Sequence, residues 1–121
     1  ALLNIASLSD LQGHPIVGAS WEGFVLEQVA AHLPEGAQLG FYRTAAGAEM
    51  DAVVQAGKRS LGIEVKFSSA PTVTKGFWHA RDDLRPTRTV VVAPVERRYP
   101  LKEGVDVVPV SALPQLLAEL C

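Results

Sequence analysis

The sequence predicts an α/β domain with a central mixed β-sheet flanked by helices, and three observations carry that reading. The apolar pattern begins at helical spacing, passes through three strand-like runs, then continues as helix, strand, strand and helix. This gives the order α-β-β-β-α-β-β-α. The chain has 121 residues, the length of one domain of about 100–150 residues. Val90-Val91-Val92 is a short apolar run typical of a buried strand.

The elements follow in order. Residues 1–17 form a loosely patterned leading segment, set off by the turn signal Gly13-His14-Pro15, and residues 18–121 form the single domain. Ser20 is placed to cap a helix running to about Leu33, stopped by Pro34 and Gly36. Trp21, Phe24, Val25, Val29 and His32 share one stripe of it. Strands are expected at Leu39–Thr44, Met50–Gln55 and Leu61–Phe67. A second helix is expected over Thr72–Leu84, with Val73, Phe77, Ala80 and Leu84 inward. Val90–Val92 and Asp106–Val110 are further strands, and Ser111 caps a last helix through Leu120. The step from the third strand across helix two to Val90–Val92 suits a crossover between parallel strands. The segment Pro94–Pro100 reads as a surface loop.

Composition bounds the function classes. With 48% hydrophobic and 20% charged residues, the chain has the make-up of an ordinary soluble domain. No run of ~18 apolar residues is present to span a membrane. The opening Ala1-Leu2-Leu3 lacks the basic start of a secretory leader, so the chain reads as a piece of a longer polypeptide. The one cysteine, Cys121, permits no internal disulfide and no cysteine metal site, which fits a reducing cytoplasm. A net charge of −2 argues against a general nucleic-acid binder. Two local basic patches stand out: Lys75, Arg81, Arg85 and Arg88, then Arg97, Arg98 and Lys102. Both read first as solvated faces.

The hairpin between the second and third strands is the most informative segment. Ala56-Gly57-Lys58-Arg59 supplies its turn, with Gly57 suited to a positive φ. Pairing with Gly57-Lys58 at the tip sets Asp51 opposite Glu64 and Glu49 opposite Lys66. Met50, Ala52 and Val54 then lie with Leu61, Ile63 and Val65 on the core face. Two carboxylates placed opposite one another repel, which folding alone does not call for. A divalent cation between them would offset that repulsion, and hard oxygen donors suit Mg²⁺ or Mn²⁺. Lys66 is placed to orient an attacking water or to stabilise transition-state charge. An ordinary amphipathic hairpin with a wet face gives the same alternation, with Glu49–Lys66 as a plain ion pair. On the first helix Glu22 borders the apolar stripe and reaches the sheet edge, whereas Glu27 points to solvent and Gln28 sits in the stripe.

These residues carry a family resemblance. Gly18-x-x-Trp21-Glu22, then Tyr42-Arg43-Thr44-x-x-Gly47-Ala48-Glu49-Met50-Asp51, then Ile63-Glu64-Val65-Lys66 resembles the P-D…(D/E)-x-K superfamily, whose fold is restriction-endonuclease-like. More narrowly, it resembles the uncharacterised domain found C-terminal to AAA-type P-loop ATPases in bacteria and archaea. The resemblance spans roughly residues 14–110, although Met50 stands where the motif proline would be. It implies metal binding by Asp51 and Glu64, the motif lysine at Lys66, and the helix acid at Glu22. Arg43 and Glu49 occupy positions typical of the narrower family. It also implies an ATPase domain preceding Ala1, since the chain has no phosphate-binding G-x-x-x-x-G-K-[ST] of its own.

The expected function is thus a nuclease-like module of an ATPase-linked protein, using Mg²⁺ or Mn²⁺ on DNA phosphodiesters. Lys66, Glu22, Asp51 and Glu64 are the catalytic candidates, with Asp51, Glu64 and Glu22 as metal ligands. The alternative is a catalytically inactive regulatory module that binds nucleic acid or protein, as a homodimer for example. A third reading, a structural appendage docked on the ATPase, predicts an exposed apolar patch. His14, His32 and His79 have no zinc spacing, and His32 reads as a partly buried stripe residue. Ser68-Ser69 lacks a nearby base. Phe77 is expected in the core and Trp78 half-exposed.

Overall fold

A computed structural model describes residues 15–121, with side chains from residue 18 onward. Residues 1–14, with the Gly13-His14 part of the turn signal, lie outside the described residues.

The first helix, α1, spans Pro15–Ala31. It starts before Ser20, which is therefore an exposed residue inside the helix and not its cap. Proline at a first helical position has its φ already set, and its missing N–H is one the helix start leaves unpaired anyway. Val25 and Val29 are fully buried against the sheet. The stripe is narrower than its spacing predicts. Phe24 is 44% exposed, and His32 is exposed just past the helix, its Nδ1 donating to the Gln28 carbonyl at 2.9 Å.

Strands β1 (Gln38–Arg43), β2 (Glu49–Ala56) and β3 (Arg59–Val65) form an antiparallel meander. Helix α2 (Lys75–Leu84) then leads to β4 (Arg88–Val92), which lies parallel to β3. Thr74 caps α2 by accepting the Phe77 N–H. Beyond it come β5 (Tyr99–Lys102), β6 (Val105–Val108), a 3₁₀ turn at Val110–Ala112 and helix α3 (Leu113–Ala118). The six strands form one mixed sheet in the order β1-β2-β3-β4-β6-β5.

The sequence reading missed β5. Pro100 breaks the apolar pattern, yet an edge strand tolerates proline because its outward N–H has no ladder partner. Tyr99 and Leu101 pack inward while β5 pairs antiparallel with β6 alone. The observed order is therefore α-β-β-β-α-β-β-β-α. Ser111 likewise lies in the 3₁₀ turn and makes no cap hydrogen bond, with α3 starting at Leu113-Pro114.

Both faces of the sheet are covered. On one side Ala52, Val54, Leu61, Ile63, Val65, Val90 and Val92 pack against α1 and α3. On the other, Met50, Val91, Val105 and Val107 pack against Phe77 and Ala80 of α2. Val90–Val92 is buried throughout, as a strand contributing to both cores must be.

The β2–β3 hairpin has the register predicted from its turn: Ala52 pairs with Ile63, Val54 with Leu61 and Ala56 with Arg59, with Gly57 at φ 62°. Its outer side departs from the prediction. Gly40 of β1 faces Val53 while Tyr42 faces Met50, so β2 sets two residues, Asp51 and Ala52, against the single Phe41. Such a bulge breaks the two-residue alternation. Ala52 stays in the α1-side core, but Met50 packs on the α2 side and not with Ala52 and Val54 as expected.

Candidate functional site

The bulge lies at the end of β2 where the regular ladder to β3 stops, at Ala52–Ile63. Beyond that pair, side chains replace the ladder. Oδ2 of Asp51 accepts the Val65 N–H at 2.8 Å, and the Asp51 N–H donates to Oε1 of Glu64 at 3.3 Å. The predicted juxtaposition of Asp51 and Glu64 is present, though as a reciprocal side-chain contact and not as a regular strand pair.

Glu64 is buried, 4% exposed. Burial, and next the Asp51 charge, push its carboxyl up to about 8 from the ordinary 4.5, and a hydrogen bond between the two carboxyls adds to the rise. Lys66 opposes the shift with its Nζ 3.6 Å from Oε2 of Glu64. Its backbone is fixed on two sides: the N–H donates to the Val92 carbonyl at 3.0 Å, and the carbonyl accepts the Trp21 Nε1–H at 3.1 Å. Trp21 is wedged between Phe24 and Phe67, with ring centroids 5.9 and 5.7 Å away.

Glu22, one residue beyond Trp21, is half-buried on α1 and shares a cleft of about 250 Å³ with Leu26, Phe41, Arg43, Met50 and Asp51. Burial raises its carboxyl, the Asp51 charge adds to this, and Arg43 and Lys66 act the other way. The helix acid predicted to face the sheet does so, while Glu27 is exposed. Glu22 nonetheless stands across the cleft, and among the described residues no three His, Cys, Asp or Glu side chains are gathered closely enough to hold a metal ion together.

Two expectations fail. Glu49 does not meet Lys66: it is exposed and lies opposite Arg43 of β1, because the bulge and the Asp51–Val65 contact end the β2–β3 ladder first. His32 is not partly buried. Arg43 stands at the cleft rim with its guanidinium carbon 5.8 Å from the Phe41 ring centre.

Two residues to which the sequence reading gave no role at the site belong to it. Trp21 holds Lys66 in place, and a half-buried indole N–H needs an acceptor, which was the available signal. Phe41, at 71% exposure, forms one wall of the cleft. Its position opposite Asp51 depends on the bulge, which strand alternation does not reveal.

Of the first basic patch, Arg81, Arg85 and Arg88 line a separate open cavity of about 570 Å³ together with Asp82 and Glu103. Arg81 pairs with Glu103 and lies over Trp78, and Arg98 pairs with Asp106 at 2.9 Å. Ser68 receives the Ala70 N–H within a loop.

Residues 17–113 match the family described as a domain of unknown function, DUF4143. The chain belongs to this family. The DUF4143 domain is also similar to an uncharacterised protein of Mycobacterium tuberculosis and to one of Mycobacterium bovis. Each is 40% identical over 112 residues, which cover 93% of this chain. The chain spans about a quarter (25%) of the length of these relatives. Among the described residues, no helix is long and apolar enough to cross a membrane.

Proposed function

We propose that this DUF4143 domain is a nuclease-like module with a restriction-endonuclease-like arrangement, C-terminal to an AAA-type ATPase domain in the longer protein, and that it hydrolyses DNA phosphodiesters with Mg²⁺ or Mn²⁺. The observation that carries the reading is the buried Glu64 carboxyl, held near pKa 8 against the Asp51 charge. Burial and the neighbouring charge make this carboxyl costly to ionise, and a cation between the two would offset that cost. The donor chemistry fits, since Mg²⁺ commonly takes one or two protein carboxylates and fills its remaining positions with water and phosphate.

Asp51 and Glu64 would hold the ion. It would supply a more acidic bound water and charge neutralisation at the phosphate. Lys66, fixed through both its N–H and its carbonyl, positions the attacking water or the phosphate oxygen. Glu22 supports the site from the helix side of the cleft.

Plasmid and single-stranded DNA incubated with the domain, with and without Mn²⁺, test the reading. Metal-dependent cleavage that is lost in Asp51→Asn and Lys66→Ala supports it. Cleavage retained in either variant refutes the assignment.

A second reading has its own observation. Among the described residues no third donor joins Asp51 and Glu64 in a ready-made ligand cluster, and strand β1 is an exposed sheet edge bearing Leu39 and Phe41. A catalytically inactive module that binds nucleic acid or protein, dimeric or docked on the ATPase, accounts for both features. It predicts no cleavage by the wild-type chain under any metal condition.

A further inference from the structure

We infer that Phe41 and Arg43 form a base-stacking platform that makes the Asp51–Glu64 site selective for unpaired, single-stranded DNA. The inference rests on the nuclease-like reading for its substrate and names that substrate's class.

The geometry centres on the bulge. Phe41 is the one residue of β1 set against Asp51 and Ala52 of β2, so the ring and the Asp51 carboxylate are neighbours across a single strand pair. Adjacent strands lie only about 4.8 Å apart. Both residues line the same cleft, with Glu22 across from them. The Phe41 ring is 71% exposed and lies beside the half-buried Asp51 carboxylate, so its face is open to a ligand. Arg43 lies close to the ring, 5.8 Å from its centre, and among the described residues it makes no ion pair. Ring and guanidinium together therefore offer a face for a base and a charge for a phosphate, the pairing used by proteins that hold single strands.

Duplex DNA does not suit this arrangement. Its bases are stacked on one another, so an aromatic face reaches them only after unpairing and unstacking. A frayed end or a single strand presents the base directly. The platform accordingly discriminates by strandedness and not by sequence, because every base has a π face.

The test is fluorescence anisotropy in EDTA, so that binding is read without cleavage. The probes are a labelled single strand roughly 16 nucleotides long and its blunt duplex. Wild type should bind the single strand about ten-fold more tightly than the duplex. Phe41→Ala should lose about ten-fold on the single strand alone, and Phe41→Trp should retain it. Leu39→Ala, on the same exposed strand but outside the cleft, should bind as wild type. Equal affinity for both probes, or an unchanged Phe41→Ala, overturns the platform. So does sedimentation showing a dimer that Phe41→Ala and Leu39→Ala both dissociate, since the edge then serves a second copy. Cleavage separates the two claims. A wild type that binds single strands through Phe41 yet never cleaves overturns the nuclease reading alone. One that cleaves duplex and single strand equally, with Phe41→Ala unaffected, overturns the platform alone.

Discussion

The backbone N–H of Asp51 points at the carboxylate of Glu64, 3.3 Å away, while the two side-chain charges repel. That N–H ties the strands together and favours the ionised carboxylate, whereas burial first and the Asp51 charge next make Glu64 hard to ionise. The chemistry of the site and the stability of the hairpin are linked through it.

Glu64 should make the domain less stable as pH rises. Its folded-state carboxyl sits near 8 against an ordinary 4.5, so the folded chain holds a proton that the unfolded chain releases between those values. Stability is fully present below about pH 4.5 and declines up to about pH 8, with a slope no steeper than about 1.4 kcal/mol per pH unit. Glu64→Gln keeps an acceptor for the Asp51 N–H and removes the titration. Urea unfolding should show the variant as the more stable protein at pH 8, with a flatter pH profile. Equal stability of the two at pH 8 would contradict the assignment.

Lys66 should matter to Glu64 as well as to any reaction. Its ammonium, 3.6 Å from the carboxylate, is the charge that limits the upward shift. Lys66→Met should therefore move the destabilising pH window upward, and carboxyl NMR titration of Glu64 reads this directly. A titration midpoint that stays put or falls in the variant would show that the lysine is oriented elsewhere in solution.

Trp21→Phe should cost about 1 kcal/mol of stability, by losing the hydrogen bond to the Lys66 carbonyl while keeping most of the ring packing. Trp21→Ala should cost about 3 kcal/mol. Urea denaturation distinguishes them, and an unchanged stability in Trp21→Phe would mean that the indole N–H contributes nothing.

Two helical glycines should respond with opposite signs. A Cβ at Gly76 of α2 runs into the Gly47 carbonyl oxygen in the β1–β2 turn, whereas one at Gly23 of α1 meets open space. Helix propensity favours alanine by about 1 kcal/mol at each position. At Gly76 an overpacking cost of about 1–3 kcal/mol acts against it. Thermal melts should rise for Gly23→Ala and fall for Gly76→Ala. A rise in both would mean that α2 moves freely away from the turn.

Much of this fold was legible in the sequence because turn chemistry and alternation act locally. Gly57-Lys58 set the hairpin register, and Val90–Val92 announced a strand buried on both faces. Glu22 was separable from Glu27 by helical angle alone. What stayed hidden depends on long-range placement. The bulge that turns Met50 away from Ala52 and brings Phe41 to Asp51 arises from β1 pairing, which β2's own pattern does not encode. Pro100 disguised β5 because proline is tolerated only at an edge, and edge position is a property of the whole sheet. The start of α1 at Pro15 outweighed the capping signal of Ser20.

The most direct test of the acid pair is a calorimetric Mn²⁺ titration at pH 8 of wild type and Asp51→Asn, which retains an oxygen acceptor for the Val65 N–H. The wild type should bind one ion, displacing the proton that Glu64 still partly holds at this pH, and the variant should show heat no greater than dilution. Equal binding by both proteins, or none by the wild type, would contradict a metal site at Asp51 and Glu64.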